Sequence, residues 1–143
     1  MAILDTTKKP YIADRDERIS IGIDFPFRKS NDKNGWFATT STTIEAIKNN
    51  IKNLLNTIPG ERFFQPTLGL DLRKYIFENM DDELEFKIKE EIIKTFKFWL
   101  PFVEVRDLVL NQDKVRYKIT IDVVFNITKN PNSLQSVQVE IGE

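Results

Sequence analysis

The chain reads as an α+β fold: an N-terminal arm and short strand, then three helices packed on a C-terminal antiparallel β-meander. Three observations predict it. Apolar residues recur at helical spacing between Ile44 and Trp99, the period becomes twofold after Pro101, and clusters of turn formers separate the alternating runs. Helices grouped ahead of consecutive strands suit an antiparallel sheet rather than alternating crossovers.

Residues 1–18 are polar and charged, with Lys8-Lys9-Pro10 and Asp14-Arg15-Asp16-Glu17-Arg18, and bury too little to offset ordering entropy. They read as an extended arm, and residues 19–143 as a single domain. Ile19, Ile21, Ile23 and Phe25 alternate with polar or small residues as a short strand stopped at Pro26. A polar loop over 28–40 follows, interrupted by Trp36-Phe37, which either packs on the core or anchors a partner.

Ile44, Ile47, Ile51, Leu54, Leu55 and Ile58 share one helical face. Thr42 and Glu45 have capping-box spacing, and Pro59-Gly60 ends the helix. If fully buried, each stripe residue contributes about 1.5–3 kcal/mol, so this is a core element. After a loop over 60–69, Asp71 is placed to cap a second, short helix whose Leu72, Tyr75 and Ile76 share a face. Asp81-Asp82-Glu83 then suits the N-terminus of a third helix carrying Leu84, Ile88, Ile92, Phe96 and Trp99 up to Pro101. A calcium loop would need spaced oxygen ligands and a central glycine, which this acidic run lacks.

Residues 102–110 read as a strand and Asn111-Gln112-Asp113 as a turn. Val115, Tyr117, Ile119, Ile121, Val123, Phe125 and Ile127 form a long strand with one buried face, with Lys114, Arg116 and Lys118 on the other. Asn130-Pro131-Asn132 turns again, and Val137, Val139 and Ile141 form the last strand.

Composition narrows function. The 143 residues contain no histidine and no cysteine, which removes the commonest general base, thiol chemistry, disulfides and nearly all zinc sites. No cofactor and no metal is expected. Lys and Arg total 21 against 22 acidic residues, a net charge of -1 that provides no global field for nucleic acid. The N-terminus lacks a signal-peptide pattern, and Phe98 to Val103, the longest apolar stretch, is too short to span a bilayer. The expectation is a protein made in the cytoplasm, with no nucleic-acid or membrane partner.

Gly60-Glu61-Arg62, then Gln65-Pro66, then Gly69-Leu70-Asp71-Leu72 running into Tyr75-Ile76-Phe77-Glu78-Asn79-Met80, resembles the small "lysozyme-like" baseplate wedge family of contractile phages. A related component of type VI secretion baseplates carries a similar loop. The resemblance covers roughly residues 40–143 and includes the Asn130-Pro131 turn before the last strand. It implies a protein of the virion tail baseplate, assembled in the host cytoplasm, that catalyses nothing. It further implies two contacts: the loop docks on the helical core bundle made by two larger wedge proteins, and the C-terminal sheet accepts strands from the tail sheath subunit, starting sheath polymerisation. Tube-proximal baseplate proteins are further candidate neighbours.

The candidate wedge-core interface is therefore Gly60, Glu61, Arg62, Phe63, Phe64, Gln65, Pro66 and Gly69. Glu61 and Arg62 can bridge outward to a partner or inward to fix the loop, whereas a solvated loop pair would be worth little. One of Phe63 and Phe64 is expected to pack on the first helix and the other to anchor a partner. The candidate sheath-binding sheet comprises Val115, Tyr117, Ile119, Ile121, Val123, Leu134, Ser136, Gln138 and Glu140, through pairing along an edge left open for β-augmentation. The competing enzymatic reading is a peptidoglycan-cleaving hydrolase using Glu61 and Asp71. It is disfavoured because Asp71 occupies a capping position and Glu61 beside Arg62 is poorly placed as a general acid.

Overall fold

A computed structural model of the chain describes residues 20–30, 35–128 and 130–142. The expected N-terminal arm over 1–18, and Ile19 of the expected strand, lie outside those residues. The chain divides into two compact units, 1–50 and 51–143, with the boundary inside the first helix.

In the first unit, strand β1 (Gly22–Ile23) pairs antiparallel with β2 (Thr39–Thr40), Gly22 opposite Thr40 and Ile23 opposite Thr39. Further backbone bonds, Asp24 N–H to Ala38 O at 2.9 Å and Ala38 N–H to Arg28 O at 2.8 Å, continue the pairing. The expected 28–40 loop is thus partly the returning arm of a hairpin. Its Thr-rich end was masked in the sequence by the polar residues around it. Trp36 and Phe37 are exposed, so they do not pack on the core. Asp24 accepts hydrogen bonds from Arg28 and from Asn49 Nδ2, and the guanidinium holds its carboxyl below the ordinary range.

Helix α1 (Thr43–Asn56) begins where Thr42 Oγ1 accepts Glu45 N–H at 3.3 Å. Of its stripe, Ile47, Ile51, Leu54 and Leu55 are buried. Its C-terminus is closed by Thr57, whose N–H and hydroxyl both donate to Asn53 O, at 3.0 and 2.6 Å.

In the second unit, the expected short helix after Asp71 is only a single 3₁₀ turn, Arg73–Tyr75, so the described residues form two α-helices rather than the three expected. Its bonds span three residues, Tyr75 N–H to Leu72 O and Ile76 N–H to Arg73 O. Leu72 and not Asp71 holds the cap position, with no side-chain cap bond. Leu72, Tyr75 and Ile76 are buried as expected, but the chain leaves the turn at once. Gln112 explains the exit: its amide donates to Ile76 O and Glu78 O and its carbonyl oxygen accepts Met80 N–H, taking the backbone partners a longer helix would need.

Helix α2 (Asp82–Trp99) starts as predicted, with Asp81 accepting Leu84 N–H at 2.8 Å. Ile88, Ile92 and Phe96 are buried, and α2 packs against strand β3 (Val103–Asp113). Strands β4 (Lys118–Ile127) and β5 (Asn130–Ile141) complete a three-stranded antiparallel meander in the order β3-β4-β5. Leu108 and Leu110, Ile119, Ile121, Val123 and Phe125, and Val137, Val139 and Ile141 supply its buried residues.

Three sequence expectations shift here. Asn111–Asp113 belong to β3, and the turn is formed by 114–117, so Lys114, Val115, Arg116 and Tyr117 leave the middle strand. Asp113 builds that turn, its Oδ1 accepting Val115 N–H at 2.9 Å and Arg116 N–H at 3.1 Å. Asn130-Pro131-Asn132 lies inside β5, where the register with β4 slips between Phe125 and Ile127, a setting that tolerates proline. In β3 the register slips between Val105 and Asp107, leaving Arg106 without a partner residue across the ladder.

Candidate functional site

The loop between α1 and the 3₁₀ turn is built inward from its own backbone. Gly60 N–H donates to Pro66 O at 2.7 Å and Leu68 N–H to Gln65 O at 3.1 Å, which closes the hairpin-like tip. Leu70 N–H donates to Thr57 O at 2.9 Å, tying the loop's far end to the residue following α1. Gly69, at φ +110°, makes that approach possible, because a Cβ there would lie 2.0 Å from the Thr57 carbonyl oxygen.

Glu61 and Arg62 serve the loop from within. The Glu61 carboxylate accepts Ile58 N–H at 3.0 Å while its own N–H donates to Ile58 O at 3.1 Å, and Arg62 donates to the Asn53 side chain of α1 at 2.7 Å. Of the two sequence alternatives, outward bridging or inward fixing, the geometry shows the inward one. Phe63 and Phe64 do the reverse. They are 91% and 92% exposed and stack edge-to-face on each other, ring centroids 5.4 Å apart, so neither packs on α1. Two exposed aromatics at the tip of a loop with a fixed backbone form a preorganised apolar projection.

A neighbouring element extends this surface. A cavity of about 460 Å³ is lined by Thr67 and Gly69 from the loop and by Lys94, Thr95, Lys97, Phe98 and Trp99 from α2. Phe98 is exposed and stacks edge-to-face on Trp99 at 5.0 Å. The sequence held a signal for it: Phe98 falls off the Ile88–Ile92–Phe96 stripe, an aromatic on a face that should be polar.

The sheet places the second set of candidates unevenly. Ile119, Ile121 and Val123 lie on the central strand with their side chains buried, and β4 has a neighbour on each side, so these three have no edge to offer. Val115 and Tyr117 lie in the β3–β4 turn. Leu134, Ser136, Gln138 and Glu140 lie on β5, an edge strand, with exposed side chains on the face away from the core. Among the described residues, no backbone from another segment bonds to the outer edge of β5. Lys118 donates to Glu140 across the β4–β5 ladder at 2.9 Å, which lowers the Glu140 pKa.

The model of the family described as "Baseplate wedge protein gp25" matches residues 41–132, from the start of α1 into β5. The chain belongs to that family. It is accordingly a structural component of the baseplate wedge. The baseplate wedge protein gp25 of Enterobacteria phage T4 is 25% identical over 105 residues, covering 71% of this chain and 76% of that one. A solved structure described as a putative tail lysozyme from Geobacter sulfurreducens shares the fold at TM-score 0.63 and 18% identity, over 73% of this chain and 95% of its own. Chains from the anti-feeding prophage baseplate (TM-score 0.55, 24% identity, 82% and 81% covered) and from the type VI secretion baseplate complex (0.57, 14%, 68% and 91%) share it too. The paired strands β1 and β2 and most of β5 lie beyond the matched span.

No metal-binding cluster of acidic side chains occurs among the described residues, and none of their helices is long and apolar enough to cross a membrane.

Proposed function

We propose that the chain is a non-catalytic connector of a contractile-tail baseplate. Its 60–69 loop docks on the helical core of the wedge, and the outer edge of β5 receives strands from arriving sheath subunits, so that sheath growth starts there. The observation that carries the docking half is the Phe63–Phe64 pair, fully presented on a loop whose charged residues are spent holding its shape. Burying two such rings at an interface removes about 150–250 Å² each from water, ample for an anchor.

Support for strand addition comes from the position of β5. From Gln135 to Ile141 it pairs regularly with β4, residue for residue, and its other side carries no described partner. An extended segment can satisfy those main-chain groups.

A hydrolase of this kind needs two working carboxylates, and that of Glu61 is occupied by Ile58 N–H; the expected capping role of Asp71 does not hold, since Leu72 takes the cap position, so it is Glu61 that speaks against hydrolysis. The name given to the Geobacter relative is that protein's own. The relatives' assemblies point instead to neighbouring baseplate proteins as partners, and to a particle tail or secretion baseplate as the place of action.

The test is co-expression with the larger wedge proteins and the sheath subunit of the same particle. Phe63→Ala with Phe64→Ala should leave the monomer folded and lose wedge incorporation at least tenfold; undiminished incorporation removes the loop from the interface. Gln138→Pro should allow wedge assembly but stop sheath growth, and normal sheaths would move strand addition to another edge.

A further inference from the structure

Tyr117 is the one described residue other than glycine with positive φ, at +50°. It is the last residue of the turn between β3 and β4, a position where glycine or asparagine would sit without strain. The strained residue is also half exposed, and its ring rests against Phe77, which is 78% exposed, with centroids 5.4 Å apart. Local strain combined with exposed apolar surface is poor design for folding alone.

The surroundings indicate what the pair serves. A cavity of about 570 Å³ is lined by Arg73, Ile76, Phe77, Arg116, Tyr117 and Gly142. Among the described residues, its lining has two guanidiniums and no carboxylate. Arg73 makes no ion pair with another described residue, and Arg116 reaches Asp113 only at 3.9 Å with its side chain largely in water. Gly142 is held close, since a Cβ on it would lie 2.4 Å from Tyr117 O, and this fixes the cavity wall. Guanidinium forks bind carboxylates in a defined plane, and aromatic faces take an apolar side chain beside them.

We propose that this cavity docks an acidic peptide segment of a neighbouring protein, with one apolar side chain against the Phe77 and Tyr117 rings and flanking carboxylates on Arg73 and Arg116. The site is separate from the 60–69 loop and does not depend on strand addition. A peptide is favoured over a nucleic-acid strand because two arginines around a cavity of this size match one or two carboxylates, whereas a strand needs a continuous basic track.

The probe is a labelled peptide of alternating leucine and aspartate, with its leucine–asparagine counterpart as control, titrated into the full chain and followed by amide chemical shifts. The aspartate peptide should shift residues 73–77, 114–118 and 142 and bind at least tenfold more tightly than the control. Arg73→Glu should abolish those shifts. Tyr117→Asn should weaken binding several-fold while the melting temperature stays equal or rises, an outcome that a purely structural tyrosine would not produce. Equal binding of the two peptides, shifts elsewhere, preferential binding of oligo-dT, or a Tyr117→Asn protein that binds normally would each overturn the proposal.

Discussion

Adding one methyl group at Gly69 would bring carbon within 2.0 Å of the Thr57 carbonyl oxygen, which Leu70 N–H already uses. Backbone faces backbone there, so no side chain can swing aside. Gly69→Ala is therefore expected to cost more than about 2 kcal/mol, from the clash and the positive φ together, and to lower the urea midpoint. Gly60, also at positive φ, meets nothing within 4 Å, so alanine there should cost only the strain. The two glycines look alike in the sequence. What distinguishes them is the path of the chain after Pro66, which no local pattern encodes. Phe63 and Phe64 were similarly opaque: composition argues that one of two adjacent phenylalanines is buried, and only the closed loop shows both facing water.

At the scale of elements, the two long helices and the meander were readable because amphipathic periods of 3.6 and 2 are imposed by burial on one side, whereas the expected short helix after Asp71 is a single 3₁₀ turn. Turn positions were less so. Asn111-Gln112-Asp113 looks like a turn by residue type, yet Gln112 is held in β3 by three backbone partners on the 76–80 segment. The apolar parity of β3 did contain a clue. Val103 and Val105 are odd while Leu108 and Leu110 are even, and all but the half-buried Val105 are buried, which requires one extra residue between the pairs. Arg106 is that residue. Deleting it restores strict alternation and leaves Asp107 paired opposite Val124, so the deletion should keep the fold with a change of about 1 kcal/mol or less. Deleting Val109 instead turns Leu110 to solvent and should unfold the sheet, as circular dichroism and urea titration would show.

For the molecule as a whole, the absence of histidine and cysteine removed imidazole and thiol chemistry, and the Gly60–Met80 pattern carried the family. The residue-level partners were not readable from either. The non-enzymatic reading makes a direct prediction: purified protein should not clear a suspension of bacterial cell walls, and Glu61→Gln should leave that baseline unchanged. Clearing that disappears in Glu61→Gln would reverse the assignment.

The regular seven-residue run of β5 also has a mechanical side. A strand laid along Gln135–Ile141 and pulled along its own length would load its main-chain hydrogen bonds in shear, all sharing the force. Pulled across the sheet, the same strand would peel away one bond at a time. The direction in which β5 meets an incoming strand therefore sets whether the joint bears a contracting load or lets go under it.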